Sequence, residues 1–72
     1  MTFRAGDAVM ITYDGRTVPG TITLASPNGV SLMLAFDALL GGHVGMMPVL
    51  GDGRGNYASL IEQRPVKIER VQ

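Results

Sequence analysis

Apolar and polar residues alternate through the first half of the chain, with the period of two that is typical of β-strands with one buried face. The alternation predicts three strands, which are Ala8–Tyr13, Thr17–Ala25 and Val30–Phe36. Asp14-Gly15 and Pro27-Asn28-Gly29 separate these strands, and both are typical of tight turns between antiparallel strands. Pro19 predicts an edge position or a bulge near the start of the second strand, because proline cannot donate a hydrogen bond to a neighbouring strand.

The second half of the chain contains shorter segments. Asp37–Gly41 predicts one helical turn, with Asp37 as its N-cap and Gly41 as its left-handed stop. Three further strands are predicted, at Val44–Leu50, Tyr57–Ile61 and Val66–Val71. Pro48 indicates that the first of these lies at an edge. The predicted fold class is all-β: a single domain over residues 1–72 that forms one small antiparallel β-barrel of five to six short strands, with at most one helical turn.

The inward faces of these strands predict a small core. Its expected members are Val9, Ile11, Ile22, Leu24, Leu32, Leu34, Leu60 and Ile68. A chain of 72 residues buries only about 60–65% of the surface that its unfolded form exposes. The chain also lacks cysteine, so disulfides cannot reinforce it.

Apolar residues make up 46% of the chain, which is more than a core of this size is expected to hold. Surplus apolar side chains on a surface mark an interface, so we expect a protein partner or a homo-oligomer. The candidate interface residues are Leu39, Leu40, Met46 and Met47. Because Met46 and Met47 are adjacent in a strand, they point to opposite faces, and at least one should lie outside the core.

Catalytic and metal-binding groups are scarce. His43, the single histidine, lies between glycines and is predicted to be an exposed loop residue, since a general base needs a second group to order it. No serine lies in a Gly-x-Ser-x-Gly motif. The segment Gly51–Asn56 lacks the helix and lysine of a phosphate-binding loop, and Arg54 interrupts the acidic spacing of a calcium loop. We therefore expect no catalytic residue, no metal site and no cofactor.

The six basic and six acidic residues cancel and are mixed along the chain. A nucleic-acid-binding protein normally carries a basic face, so the charge pattern argues against nucleic acid as the partner. Residues 17–36 are uncharged, but prolines, an Asn-Gly pair and the period of two argue against a membrane span. The first residues lack the apolar core of a signal peptide. The expected location is the cytoplasm, and the excess of arginine over lysine suggests a bacterial source.

The stretch from Tyr13 to Leu34 resembles the middle of a PilZ domain, a small bacterial six-stranded barrel that binds cyclic di-GMP. Ser26-Pro27-Asn28-Gly29 matches the Ser-x-x-Gly portion of that family's motif, and Gly41-Gly42 is similar to its later glycine turn. The resemblance implies four candidate ligand-binding residues, which are Arg16, Ser26, Asn28 and Gly29.

The chain departs from the PilZ pattern at three points. Leu24 stands where the motif has an acidic or amide residue, Arg4 stands alone where the family has an Arg-x-x-x-Arg arm, and the usual C-terminal helix is absent from the pattern. A ligand with two phosphates needs several cations that converge on it. With these departures, the resemblance implies a degenerate PilZ-type barrel whose partner is a protein rather than the nucleotide.

A second resemblance is to SH3-like, KOW and Tudor barrels, which bind nucleic acid or peptides. It is carried by Gly6-Asp7-x-Val9-x-Ile11, followed by Gly15 and Gly20-x-Ile22. An extended segment at Tyr57–Ile61 favours the six-stranded form, and a 3₁₀ turn there favours the five-stranded SH3-like form. With both barrel types open, the sequence predicts a non-catalytic protein-interaction or self-association module. The alternative is a PilZ-type cyclic di-GMP sensor with a degenerate motif, or an SH3- or KOW-like domain that binds nucleic acid or peptides.

Overall fold

The computed structural model describes residues 2–71, which form a closed antiparallel barrel of six strands. The strands are β1 (Ala8–Tyr13), β2 (Arg16–Ala25), β3 (Ser31–Leu40), β4 (His43–Gly51), β5 (Tyr57–Ser59) and β6 (Pro65–Arg70). Each strand pairs with the next in the chain, and β6 pairs with β1 to close the barrel. The predicted all-β fold class is confirmed, with six strands rather than five.

Two hairpins turn on residue pairs with positive φ. Asp14 and Gly15 have φ of 51° and 78°, and Gly41 and Gly42 have φ of 55° and 88°. Two successive positive values are typical of the type I′ turn, whose twist matches that of the flanking strands. The hairpin predicted at Asp14-Gly15 is therefore confirmed.

The helical turn predicted at Asp37–Gly41 is wrong. The chain stays extended to Leu40 within β3 and then reverses at Gly41 and Gly42 to begin β4. A glycine with positive φ can end a hairpin arm as well as a helix, so the residue type alone does not distinguish the two.

The interior of the barrel is filled with apolar side chains. The buried ones are Val9, Ile11, Tyr13, Val18, Ile22, Leu32, Leu34, Phe36, Leu40, Met47, Val49 and Val66. Ile68 is partly buried and packs against this cluster. Five of the eight predicted core residues are thus buried, and Ile68 lies at the margin of the core.

Leu24 and Leu60 were predicted in the core and are instead 66% and 54% exposed. The register of β2 against β3 shifts between Ile22 and Leu24, and such a bulge turns the following side chain to the other face of the sheet. Leu60 follows the end of β5 at Ser59 and lies in a turn, so the period of two does not continue through it.

Parts of β2 and β4 have a strand neighbour on one side only, within the described residues. β2 pairs with β3 from Gly20 onward, and β4 pairs with β5 from Val49 onward. Pro19 and Pro48 lie in the portions that precede these pairings, where a missing N–H group removes no ladder hydrogen bond. The prediction that β4 is an edge strand is wrong, because β4 pairs with both β3 and β5 in the closed barrel. Both prolines instead occupy portions of paired strands that are locally unpaired on one side, among the residues that the structure describes.

Candidate interaction surface

The outer face of β3 and β4 is mostly apolar. Residues that oppose each other in an antiparallel pair project their side chains to the same face of the sheet. The pairs on the outer face are Leu39 with Val44, Ala35 with Met46, and Met33 with Pro48. Of these, Leu39 is 56% exposed, Val44 76% and Met46 57%. The hairpin therefore presents a row of large apolar side chains to solvent.

The row continues onto the neighbouring strand and turn. Leu24 on β2 opposes Met33 on β3, and the N–H group of Leu60 donates to the carbonyl of Pro48 over 2.9 Å. These four side chains border an open depression of about 370 Å³. We define the apolar face as the surface formed by Leu24, Met33, Leu39, Val44, Met46, Pro48 and Leu60.

The strands that build the apolar face carry very little charge. Arg16 and Asp37 are the charged side chains of β2, β3 and β4, since His43 is counted as neutral. Asp37 is exposed on the outer side of β3, two residues before Leu39. Nη1 of Arg16 donates to the carbonyl oxygen of Leu39 over 2.6 Å. Among the ion pairs of residues 2–71, neither Arg16 nor Asp37 has a partner.

The four candidate interface residues divide into two pairs. Leu39 and Met46 belong to the apolar face, whereas Leu40 and Met47 are fully buried in the core. Each exposed member is adjacent in sequence to a buried one, as the alternation of side chains in a strand requires. Leu40 and Met47 therefore contribute to the barrel and not to its surface.

The candidate ligand-binding residues do not come together. Ser26, Asn28 and Gly29 lie in the turn between β2 and β3, and Arg16 begins β2 beside the preceding turn. β2 has ten residues, so the two turns lie at opposite ends of the barrel. No single small ligand can contact both groups in this arrangement.

The polar atoms of the turn between β2 and β3 are used within the turn itself. Oγ of Ser26 donates to Oδ1 of Asn28 over 2.7 Å and accepts the N–H of Ser31 at 3.0 Å. The Tyr57 hydroxyl donates to the Gly29 carbonyl over 2.7 Å. The serine, asparagine and glycine of this segment therefore stabilise the turn, and this role explains their presence without a ligand.

A polar cluster near the turn between β3 and β4 was missed by the sequence analysis. The hydroxyl of Tyr13 donates to Oε1 of Glu62 at 3.1 Å and lies 3.2 Å from Oγ of Ser59. Nε2 of His43 lies 2.8 Å from the same Glu62 oxygen. The hydrogen bonds from His43 and then from Tyr13 lower the pKa of Glu62, and partial desolvation opposes them.

The prediction that His43 is an exposed loop residue is wrong. His43 begins β4, its side chain is only 9% exposed, and its ring packs edge-on against Tyr13 with centroids 5.9 Å apart. Ser59 is also buried, so its hydroxyl is not accessible to a substrate. The cluster joins the turn after β5 to the barrel through Glu62, and we assign it a structural role.

Two further classes of site were searched over residues 2–71. No group of three or more His, Cys, Asp or Glu side chains is placed to hold a metal ion there. Over the same residues, no helix has the length and apolar character needed to cross a bilayer.

Comparison of the chain with protein-family models, with curated proteins and with solved structures gives no match in any of the three. The relation to PilZ and to SH3-like barrels therefore remains a resemblance in short motifs, joined to a small closed six-stranded barrel.

Proposed function

We propose that this protein is a non-catalytic self-association module, in which the apolar face of one copy packs against the apolar face of another. The observation that carries the proposal is the row of large, exposed apolar side chains on three neighbouring strands that hold only two charged residues. Apolar surface of this kind, bordered by polar residues, marks interaction sites on small soluble proteins.

The area of the face fits a second copy of the chain. Leu24, Leu39, Val44, Met46 and Leu60 are each more than half exposed. A side chain of this size at that exposure leaves on the order of 100 Å² in water, so these five expose on the order of 500 Å². The smallest specific interfaces bury about 1,000 Å² in total, or about 500 Å² from each partner. The face is large enough for a weak, concentration-dependent dimer.

Sedimentation equilibrium across a concentration series tests the proposal. We expect the 7.6 kDa chain to shift towards twice that mass between about 10 μM and about 1 mM, the range in which a weak dimer forms. Val44→Glu places a charge at the most exposed side chain of the face in both copies and should raise the Kd at least tenfold. Val71→Glu makes the same change at another exposed valine, outside the face, and is the matched control.

The outcomes separate the proposal from its alternatives. A monomer at all concentrations overturns it, and so does a dimer that Val44→Glu and Val71→Glu affect equally. The series is repeated with cyclic di-GMP, because the PilZ resemblance implies that ligand. A mass that changes with the nucleotide would favour a PilZ-type cyclic di-GMP sensor over the self-association module.

A further inference from the structure

The two charged residues on β2–β4 have complementary signs and lie close to the same edge of the apolar face. Arg16 is anchored at the Leu39 carbonyl, and Asp37 lies two residues before Leu39 on the outer side of β3. A guanidinium has five N–H donors, so the bond to Leu39 leaves donors available to a carboxylate. Within one copy these donors do not reach Asp37, since the two side chains form no ion pair.

We propose that the two copies pack about a two-fold axis, with Arg16 of each copy paired to Asp37 of the other. The inference rests on the self-association proposed above and specifies its geometry. In a two-fold interface every contact between different residues occurs twice, so one cation and one anion per copy give two ion pairs. The face is then neutral and complementary to itself.

Burial of the apolar face in a dimer would require a cationic partner for Asp37. Asp37 shares the outer side of β3 with Ala35 and Leu39, so packing this side against a partner removes water from its carboxylate. A carboxylate that loses water without a cationic partner is strongly unfavourable. Arg16 is the single cation on the three strands that build the face, and it therefore supplies the compensating charge from the second copy.

Charge-reversal variants test the pairing, because two variants with complementary changes should restore it when they are mixed. Arg16→Glu alone and Asp37→Arg alone each convert both pairs into like-charge contacts, and each should raise the Kd about tenfold or more. In an equimolar mixture, a copy with Arg16→Glu and a copy with Asp37→Arg form two attractive pairs. We therefore expect the mixture to form heterodimers under conditions in which each variant alone is monomeric.

The double variant with both reversals in one chain should likewise recover the parent Kd to within a few-fold. Arg54→Glu is the control for a charge reversal outside the face, in the loop between β4 and β5, and should leave the Kd unchanged. Added salt should weaken the parent dimer and strengthen the residual association of Asp37→Arg, because screening reduces attraction and repulsion alike.

Circular dichroism at monomeric concentration verifies the fold of each variant. Within residues 2–71, the Asp37 side chain makes no hydrogen bond or ion pair that Asp37→Arg would remove. The salt response of this variant therefore tests the pair between copies even if Arg16→Glu loses structure. The inference is overturned when the parent dimerises and Val44→Glu prevents it, yet the charge variants behave as Arg54→Glu does and the mixture shows no rescue. A monomeric parent would instead overturn the proposed function itself.

Discussion

Gly41 is a position at which a single added methyl group should destabilise the barrel. A Cβ atom at Gly41 would lie 2.7 Å from Cδ2 of Tyr13 and closer still to Cε2, whereas at Gly42 it would meet nothing within 4 Å. The Tyr13 ring cannot move away easily, because it is buried and its hydroxyl is hydrogen-bonded to Ser59 and Glu62. Gly41→Ala and Gly42→Ala therefore form a matched pair in one turn.

Backbone strain and the clash with Tyr13 predict opposite orders of destabilisation for the two variants. Both glycines have positive φ, and left-handed backbone costs an alanine about 1–2 kcal/mol. The φ of 55° at Gly41 is near the left-handed helical minimum, and the 88° at Gly42 is further from it. Backbone strain alone would thus make Gly42→Ala the costlier change. Overpacking against Tyr13 adds about 1–3 kcal/mol at Gly41 alone.

We expect Gly41→Ala to lower the free energy of unfolding by about 2–4 kcal/mol and Gly42→Ala by about 1–2 kcal/mol. Urea unfolding followed by far-ultraviolet circular dichroism, at a concentration that keeps the chain monomeric, measures both. With an m-value of about 1 kcal/mol/M, the midpoints should differ by about 1–2 M. Equal midpoints, or a lower midpoint for Gly42→Ala, would show that the ring yields and would refute the reasoning.

The remaining predictions concern the core and the polar cluster. Met47→Ala should lower the free energy of unfolding by about 2–5 kcal/mol, because it leaves a cavity at a fully buried site. Met46→Ala should lower it by less than about 0.5 kcal/mol in the monomer, because this side chain is exposed. Similar urea midpoints for the two variants would contradict the assignment of Met47 to the core and Met46 to the surface. The pKa of Glu62 in the folded protein lies below the value of 4.5 for the free side chain, so its stabilising contribution is present above that pH and is lost as the pH falls through the folded pKa. The difference in free energy of unfolding between the parent and Glu62→Gln should therefore become smaller on acidification from about pH 6 to about pH 2.5. A difference that does not change with pH would show that the ionised Glu62 carboxylate does not stabilise the fold.

The strands were predictable because their signals are local. The predicted bounds of β1, Ala8–Tyr13, are those of the structure, since an alternating apolar run ends there at an Asp-Gly turn. Leu24 was misplaced because a bulge depends on the register between two strands, which no single strand encodes. His43 was misplaced because its partner Glu62 lies nineteen residues further along the chain. Such contacts follow from barrel closure and have no signal in a local pattern.

The interaction surface was predictable in kind but not in detail. The surplus of apolar residues indicated an exposed patch, and the adjacent pair Met46 and Met47 required one exposed member. Which member is exposed depends on the register of β3 against β4, which includes an irregularity between Ala35 and Leu39. The distance between Arg16 and Asn28 could have been inferred from the sequence, because successive hairpin turns of antiparallel strands lie at opposite ends of a sheet.

The distribution of charge connects the stability of the barrel to its proposed association. Ion pairs such as Arg64 with Asp14 and Arg70 with Asp7 lie on β6 and in the segments that flank β1 and β6, away from the apolar face. Each pair is solvent-accessible and contributes little to stability, so a small core supplies most of it. In the proposed dimer, association adds about 2.7 kcal/mol to the free energy of unfolding at a concentration one hundred times the Kd. This gain is comparable to the stabilisation from burying one large apolar side chain. Folding and association are then coupled equilibria, and the melting temperature should rise with protein concentration in the parent and stay constant in Val44→Glu.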